Sequence, residues 1–167
     1  DPEMRYESYI TDLLIPEVDR IYPTLNSPTQ RAITGLSMGG HGALYLALRH
    51  PELFSYAGSM SGGVDLRPFS NNWGLPDILG NASVYPHHWE AHSVLVLIEN
   101  IQTDQEFIID CGRDDFFLDV NRALNSVMDD KEISHAYSER PGKHNWKYWR
   151  GSVAEHFHFF SAHFKKN

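Results

Sequence analysis

The chain has 167 residues, 41% of them hydrophobic and 22% charged, a size and balance suited to one folded domain with a substantial core rather than to a disordered or fibrous segment. Fourteen Lys and Arg against 22 Asp and Glu give a formal net charge of −8, which argues against a grip on nucleic-acid phosphates and against a basic membrane-surface protein. The longest apolar run, near residues 94–98, is far too short to span a bilayer, and a single cysteine, Cys111, excludes an internal disulfide without assigning a compartment.

Along the chain, Tyr9, Leu13, Leu14, Val18 and Ile21 recur at three- and four-residue spacings. That pattern predicts an amphipathic helix, bent or restarted at Pro16 and ended near Pro23. Residues 26–30 read as a turn. Arg31-Ala32-Ile33-Thr34 reads as a short strand running into Gly35-Leu36-Ser37-Met38-Gly39-Gly40. Residues 41–50 carry Ala43, Leu44, Leu46, Ala47 and Leu48 and predict a packed helix closed before Pro51. A second strand is predicted at 56–60. Residues 61–88 hold many Gly, Pro, Asn and Asp, with Phe69, Trp73 and Tyr85 among them, and are expected to form a long loop, either functional or irregular. A helix is predicted over 93–101. The near-continuous apolar run at 106–111 predicts a strand covered on both faces. A helix over 118–128, a strand over 134–139, a turn at Pro141-Gly142-Lys143-His144 and a last helix over 149–164 complete the order. Strands and helices alternate through short connections, which predicts an α/β domain with a mostly parallel, doubly wound sheet.

Gly35-Leu36-Ser37-Met38-Gly39 fits G-x-S-x-G between a β-branched strand and an apolar helix. Small neighbours let the backbone make a sharp turn that lifts the serine hydroxyl above the sheet edge. The start of the next helix offers free N–H groups, and the Met38 N–H is a candidate donor to an oxyanion formed in acyl transfer. A nucleophilic serine needs a base, and the base needs an orienting carboxylate. Asp114 and Asp115 follow the strand at 106–111, and His144 follows the strand at 134–139. All three candidates therefore fall at the carboxyl ends of predicted strands, where a doubly wound sheet builds its site. One of these adjacent acids reads as a turn cap and the other as the orienting group, and the residues alone leave open which is which.

Ten histidines invite a metal reading, but His87-His88, His156, His158 and His163 lack the spacing of H-E-x-x-H. His156 and His163 could share one helix face, but no nearby acid is expected to complete a site, and no metal and no cofactor are expected. His41 is expected behind the serine, and His50 and His92 at the surface or as caps. Cys111 ends a buried strand with no basic residue assigned to activate it, which makes it a poor nucleophile. Phe69, Trp73 and Trp146 are candidate walls for an acyl or aryl group, and Trp149 is expected to pack on the last helix. Aromatic walls on an acidic chain favour a neutral or apolar group over a polyanion.

Three blocks together, Ile33-Thr34-Gly35-Leu36-Ser37-Met38-Gly39-Gly40, Ile109-Asp110-Cys111-Gly112-Arg113-Asp114-Asp115-Phe116 and Arg140-Pro141-Gly142-Lys143-His144-Asn145-Trp146-Lys147-Tyr148-Trp149, resemble the putative esterase family. That family includes S-formylglutathione hydrolase (esterase D), tributyrin esterase and feruloyl esterase modules. The resemblance implies an α/β-hydrolase fold, Ser37 as nucleophile, Asp115 as orienting acid, His144 as base and the Met38 N–H in the oxyanion hole. Gly58-Ser59-Met60-Ser61-Gly62-Gly63 also resembles the family, where it borders the pocket. The implied activity is carboxylic-ester hydrolysis on short-chain acyl esters or on feruloyl or acetyl esters of carbohydrate, without a cofactor. An S-formylglutathione-type thioesterase is the alternative with the same residues, although a glutathione thioester favours basic neighbours, and Arg67 and Arg113 are the chief ones available. A non-catalytic binding module on the same fold is the alternative of another class. The family carries further strands, and a loop supplying a second oxyanion N–H, ahead of the segment resembling Tyr6-Glu7-Ser8-Tyr9-Ile10. Residues 1–167 are therefore expected to be the C-terminal portion of a single α/β-hydrolase catalytic domain, completed by an N-terminal segment of the same protein.

Overall fold

The computed structural model describes residues 5–101 and 103–164. Four strands, β1 (Ala32–Leu36), β2 (Tyr56–Met60), β3 (Glu106–Gly112) and β4 (His135–Arg140), form one sheet in the order β1-β2-β3-β4, and every adjacent pair is parallel. Register aligns Ile33 with Ala57, Ala57 with Phe107, and Phe107 with His135, so each strand's carboxyl end reaches the same edge of the sheet.

At the front, α1 (Tyr6–Ser8) runs through a π-helical turn (Tyr9–Leu14) into α2 (Ile15–Ile21). The wider turn takes up Pro16, whose ring presses on the carbonyl four residues back in a regular helix. Glu7 on α1 accepts from Arg49 and bonds His50, both at 2.8 Å, which ties this segment to the end of α3 (Met38–Arg49).

Side chains alternate across the strands, and the two faces differ. On one face Ala57, Phe107 and Ile109 pack with α3, α6 (Val94–Asn100) and α7 (Leu118–Asp130) through Leu44, Ile98, Leu124 and Met128. On the other, Leu36 and Met60 meet Tyr148, Trp149 and Val153 of α8 (Trp146–Phe164). The predicted α/β order is therefore observed, with helices on both faces.

Boundaries differ at informative places. Helix α3 starts at Met38 rather than at 41, because the serine turn passes straight into the helix. Helix α8 starts at Trp146, its first turn capped by Asn145 Oδ1, which accepts from the Tyr148 N–H at 3.2 Å. The segment 61–88 is not an irregular loop throughout. It contains a 3₁₀ turn (Arg67–Phe69), α4 (Leu75–Leu79) and the start of α5 (Pro86–Ala91), each with a proline in its first turn. Prolines that read as breakers stand at helix starts here, where the missing N–H costs nothing. Trp89 of α5 is buried and its indole N–H donates to the Gly80 carbonyl at 2.9 Å, which holds the segment against the domain.

Gln105, buried just before β3, donates at 2.7 Å to both the Ala47 and Phe54 carbonyls. Replacing it with leucine strands two buried acceptors. Gln105→Leu is expected to lower unfolding stability by about 2 kcal/mol, measured by urea denaturation.

Candidate active site

Ser37 sits between β1 and α3 with φ 54° and ψ −118°. A non-glycine residue in the left-handed half of conformational space is strained by about 1–3 kcal/mol, and the surroundings must hold it there. Three backbone bonds do so: the Ser37 N–H donates to the Met60 carbonyl at 2.9 Å, while Gly40 and His41 donate to the Ser37 carbonyl at 3.0 and 3.1 Å. The turn is tight enough that a Cβ on Gly35 lies 2.4 Å from the carbonyl carbon and oxygen of Gly39. The Met38 N–H is the first of α3, ahead of any helical carbonyl that could take it.

The strand order brings the other two candidates to the same edge. The Ser37 hydroxyl donates to His144 Nε2 at 2.8 Å. His144 Nδ1 lies 3.0 and 2.9 Å from the two Asp115 carboxylate oxygens and donates to them. With Nδ1 carrying the proton, Nε2 is left as the acceptor the serine needs. The adjacent acids part: the Asp115 side chain is fully buried, accepts the Phe117 N–H at 2.9 Å and faces the imidazole, whereas Asp114 is exposed in the turn. Asp114 contributes its backbone, donating to the Gly142 carbonyl at 2.9 Å and stitching the acid's turn to the histidine's. Around the imidazole stand Phe116, Phe117 and Trp149, with ring centroids 4.4, 5.4 and 4.9 Å away.

A cavity of about 540 Å³ opens beside this chain of bonds. Ser37, Met38 and His144 form its polar end, and Leu66, Trp73, Leu79, Phe116 and Phe117 form much of its apolar wall. Of the aromatic residues singled out from sequence, Trp73 lines the cavity. Phe69 stands behind it, packed on Trp73 and Phe117 at 5.5 and 5.0 Å. Trp146 is 65% exposed and edges against Trp149, outside the cavity wall. Sequence reasoning gave no wall role to Phe116, Phe117 or the α4 leucines. The signal was there for the phenylalanines, as two large apolar residues directly after Asp115 where a turn should be polar.

His41 lies on α3 just after Ser37 and His92 caps α5, as expected, and both also line the cavity, with His41 Nε2 donating to the His92 carbonyl at 2.8 Å. Burial lowers the His41 pKa, so this ring favours the neutral form. His156 and His163 do have acids in space: His156 Nε2 is 2.8 Å from Asp110 and His163 Nε2 is 2.7 Å from Glu106. They face different partners, and among the described residues no cluster of three or more His, Cys, Asp or Glu is arranged to hold a metal ion. Cys111 is buried, and burial, with Asp115 adding to it, pushes its thiol up to about 12.

A serine at a strand-to-helix elbow, on the carboxyl edge of a parallel sheet covered on both faces, defines the α/β-hydrolase fold. A solved ferulic acid esterase superposes with a TM-score of 0.79 at 25% identity, over 95% of this chain and 61% of that one. The chain belongs to the family described as "Putative esterase", whose sequence model matches residues 2–160. Among curated proteins it is 24% identical to an acetyl esterase of Caldicellulosiruptor saccharolyticus, over 96% of this chain and 65% of the relative. It is 29% identical to an S-formylglutathione hydrolase of Paracoccus denitrificans, over 98% of this chain and 54% of the relative. The chain thus spans somewhat over half the length of these relatives.

Two outcomes follow from the geometry. Gly35→Ala cannot be accommodated without moving the Gly39 backbone, so it is expected to lower the unfolding midpoint or to prevent folding, read by circular dichroism. Because the Cys111 thiol is raised and buried, it stays protonated at pH 8, and iodoacetamide is expected not to label the native protein, checked by intact mass before and after denaturation.

Proposed function

We propose that the chain carries the catalytic residues of a serine carboxylic-ester hydrolase working through an acyl-enzyme. The observation that carries this reading is the continuous chain from the Ser37 hydroxyl through His144 to the buried Asp115 carboxylate, with 2.8 Å and 2.9 Å links. His144 Nε2 takes the serine proton as Oγ bonds to the ester carbonyl carbon. Asp115 holds the imidazole in place and stabilises its protonated form. Negative charge on the carbonyl oxygen develops toward the Met38 N–H at the start of α3. His144 then returns the proton to the leaving alcohol as the carbon–oxygen bond breaks, leaving Ser37 acylated. Water, deprotonated by His144, repeats the sequence and frees the acid. The cycle uses no cofactor. A binding module without catalysis has no need of three side chains in bonded order at a strained elbow, which counts against that alternative.

The apolar cavity wall suits a short-chain acyl group or an aryl acyl group such as feruloyl, and the acidic chain suits a neutral carbohydrate on the alcohol side. Several relatives bear the name S-formylglutathione hydrolase, which keeps the thioesterase reading in view. Arg67, next in sequence to the cavity-lining Leu66, is already committed to Asp65 through two 2.9 Å bonds, which favours the oxygen esters. An N-terminal segment of the same protein is proposed to pair with β1, the edge strand of the described sheet, and to supply the second oxyanion donor. A groove flanking that edge, lined by Ile10, Ile15, Val18, Leu25 and Ile33, supports an apolar neighbour there.

Ser37→Ala is expected to cut turnover of p-nitrophenyl acetate and butyrate on the order of 10⁴-fold or more. Undiminished hydrolysis sinks the serine mechanism. A panel of acetyl, butyryl and feruloyl esters with S-formylglutathione separates the substrate readings, and Trp73→Ala is expected to raise KM for the feruloyl ester more than for the acetyl ester.

A further inference from the structure

A second carboxylate–imidazole–hydroxyl chain lies on the α8 side of the sheet. Asp110 of β3 meets His156 Nε2 at 2.8 Å, and His156 Nδ1 meets the Thr34 hydroxyl of β1 at 2.7 Å. The Ser152 hydroxyl also donates to the same Asp110 oxygen. Arg140 of β4 stands 3.2 Å from the other oxygen, pairs with Glu155 and lies over the Tyr148 ring. Asp110, Ser152 and His156 are at most 1% exposed, so no substrate reaches this chain.

The imidazole crosses β2 to make these bonds. A Cβ at Gly58 lies 2.4 Å from His156 Nδ1 and 2.7 Å from the Thr34 hydroxyl, so the strand between is glycine where the ring passes. One network thus spans all four strands. Its anchors are the strands that carry the active-site candidates: Thr34 precedes Ser37 by three residues, Asp110 precedes Asp115 by five and Arg140 precedes His144 by four. Burial alone raises the Asp110 carboxyl, but the hydrogen bonds of His156 and Ser152 outweigh it and hold the group below the usual carboxylate range. A buried ionic network of this kind often stabilises no better than apolar packing, while its hydrogen bonds hold the groups they join in a fixed geometry.

We infer that Thr34, His156 and Asp110 are positioning residues, a cross-strand clamp that sets the separation of β1 and β3 and through it the distance from Ser37 to His144 and Asp115. Loss of the Thr34 bond frees β1 to move relative to β3. Small displacements of a reacting group are costly in rate even when the change lies away from the chemistry. None of the three lines the cavity beside Ser37. The inference rests on the serine reading above.

The test uses the full-length protein with Thr34→Val, Thr34→Ser and His156→Gln, each counted by covalent labelling of Ser37 with a fluorophosphonate probe. The expected result is a kcat per labelled site for p-nitrophenyl acetate that falls roughly 10- to 100-fold in Thr34→Val and His156→Gln. KM stays within about twofold, and Thr34→Ser restores kcat, because a hydroxyl rather than a methyl is what the clamp needs. A purely structural role lowers the number of labelled sites and the unfolding midpoint while leaving kcat per site at the parent value. Parent-like kcat per labelled site in both Thr34→Val and His156→Gln overturns the positioning role alone. A parent protein that takes no label at Ser37 overturns the serine reading and the inference with it.

Discussion

The strained turn at Ser37 is the constraint on which the rest of the molecule depends. At φ 54° the residue occupies a region that most side chains avoid, and it is kept there by bonds reaching both β2 and the first turn of α3. That conformation does two things at once. It aims the hydroxyl out of the carboxyl edge of the sheet, and it starts α3 immediately, leaving the Met38 N–H beside the hydroxyl. Neither result survives a relaxed backbone, so the parallel pairing of β1 with β2 and the packing of α3 over both are the support that the site requires.

The other two members of the site come from turns that are held to each other as well as to the sheet. Asp115 is fixed by the Phe117 N–H, and the neighbouring Asp114 backbone bonds the turn that carries His144. The imidazole is then boxed by three aromatic rings, two of which also line the cavity. Orientation of the imidazole and shape of the cavity therefore share the same side chains, Phe116 and Phe117. A change at either affects both the proton transfer and the choice of substrate under the proposed mechanism.

Charge is handled differently on the two sides of the sheet. The α3, α6 and α7 side is dominated by apolar packing, whereas the α8 side combines an apolar patch around Met60 and Trp149 with the buried Asp110–His156–Thr34 network. Such a network is sensitive to strand register, since Thr34 and Asp110 lie on different strands and must both reach one imidazole from α8. That sensitivity complements the elbow, where a small shift of β1 relative to β3 changes the reach from Ser37 to His144.

Much of this was legible in the sequence because it is encoded locally. The alternation of β-branched runs with apolar helical spacing determined the α/β class, and G-x-S-x-G between a strand and a helix determined the elbow, since each depends on neighbours a few residues apart. The order of Ser37, Asp115 and His144 followed from strand ends that recur at one sheet edge whenever the strands are parallel. The 61–88 segment was misjudged because Pro76 and Pro86 are ambiguous by type alone: the same residue breaks a helix or begins one, and burial of Trp89 and neighbouring contacts decide which. Only the tertiary structure decided which aromatic residues wall the cavity, and that Trp146 stands outside it. Only the tertiary structure gave His156 an acid, Asp110, from 46 residues away in the chain. Those facts depend on distances between segments remote in sequence, and no local pattern specifies a distance that the packed sheet has yet to set.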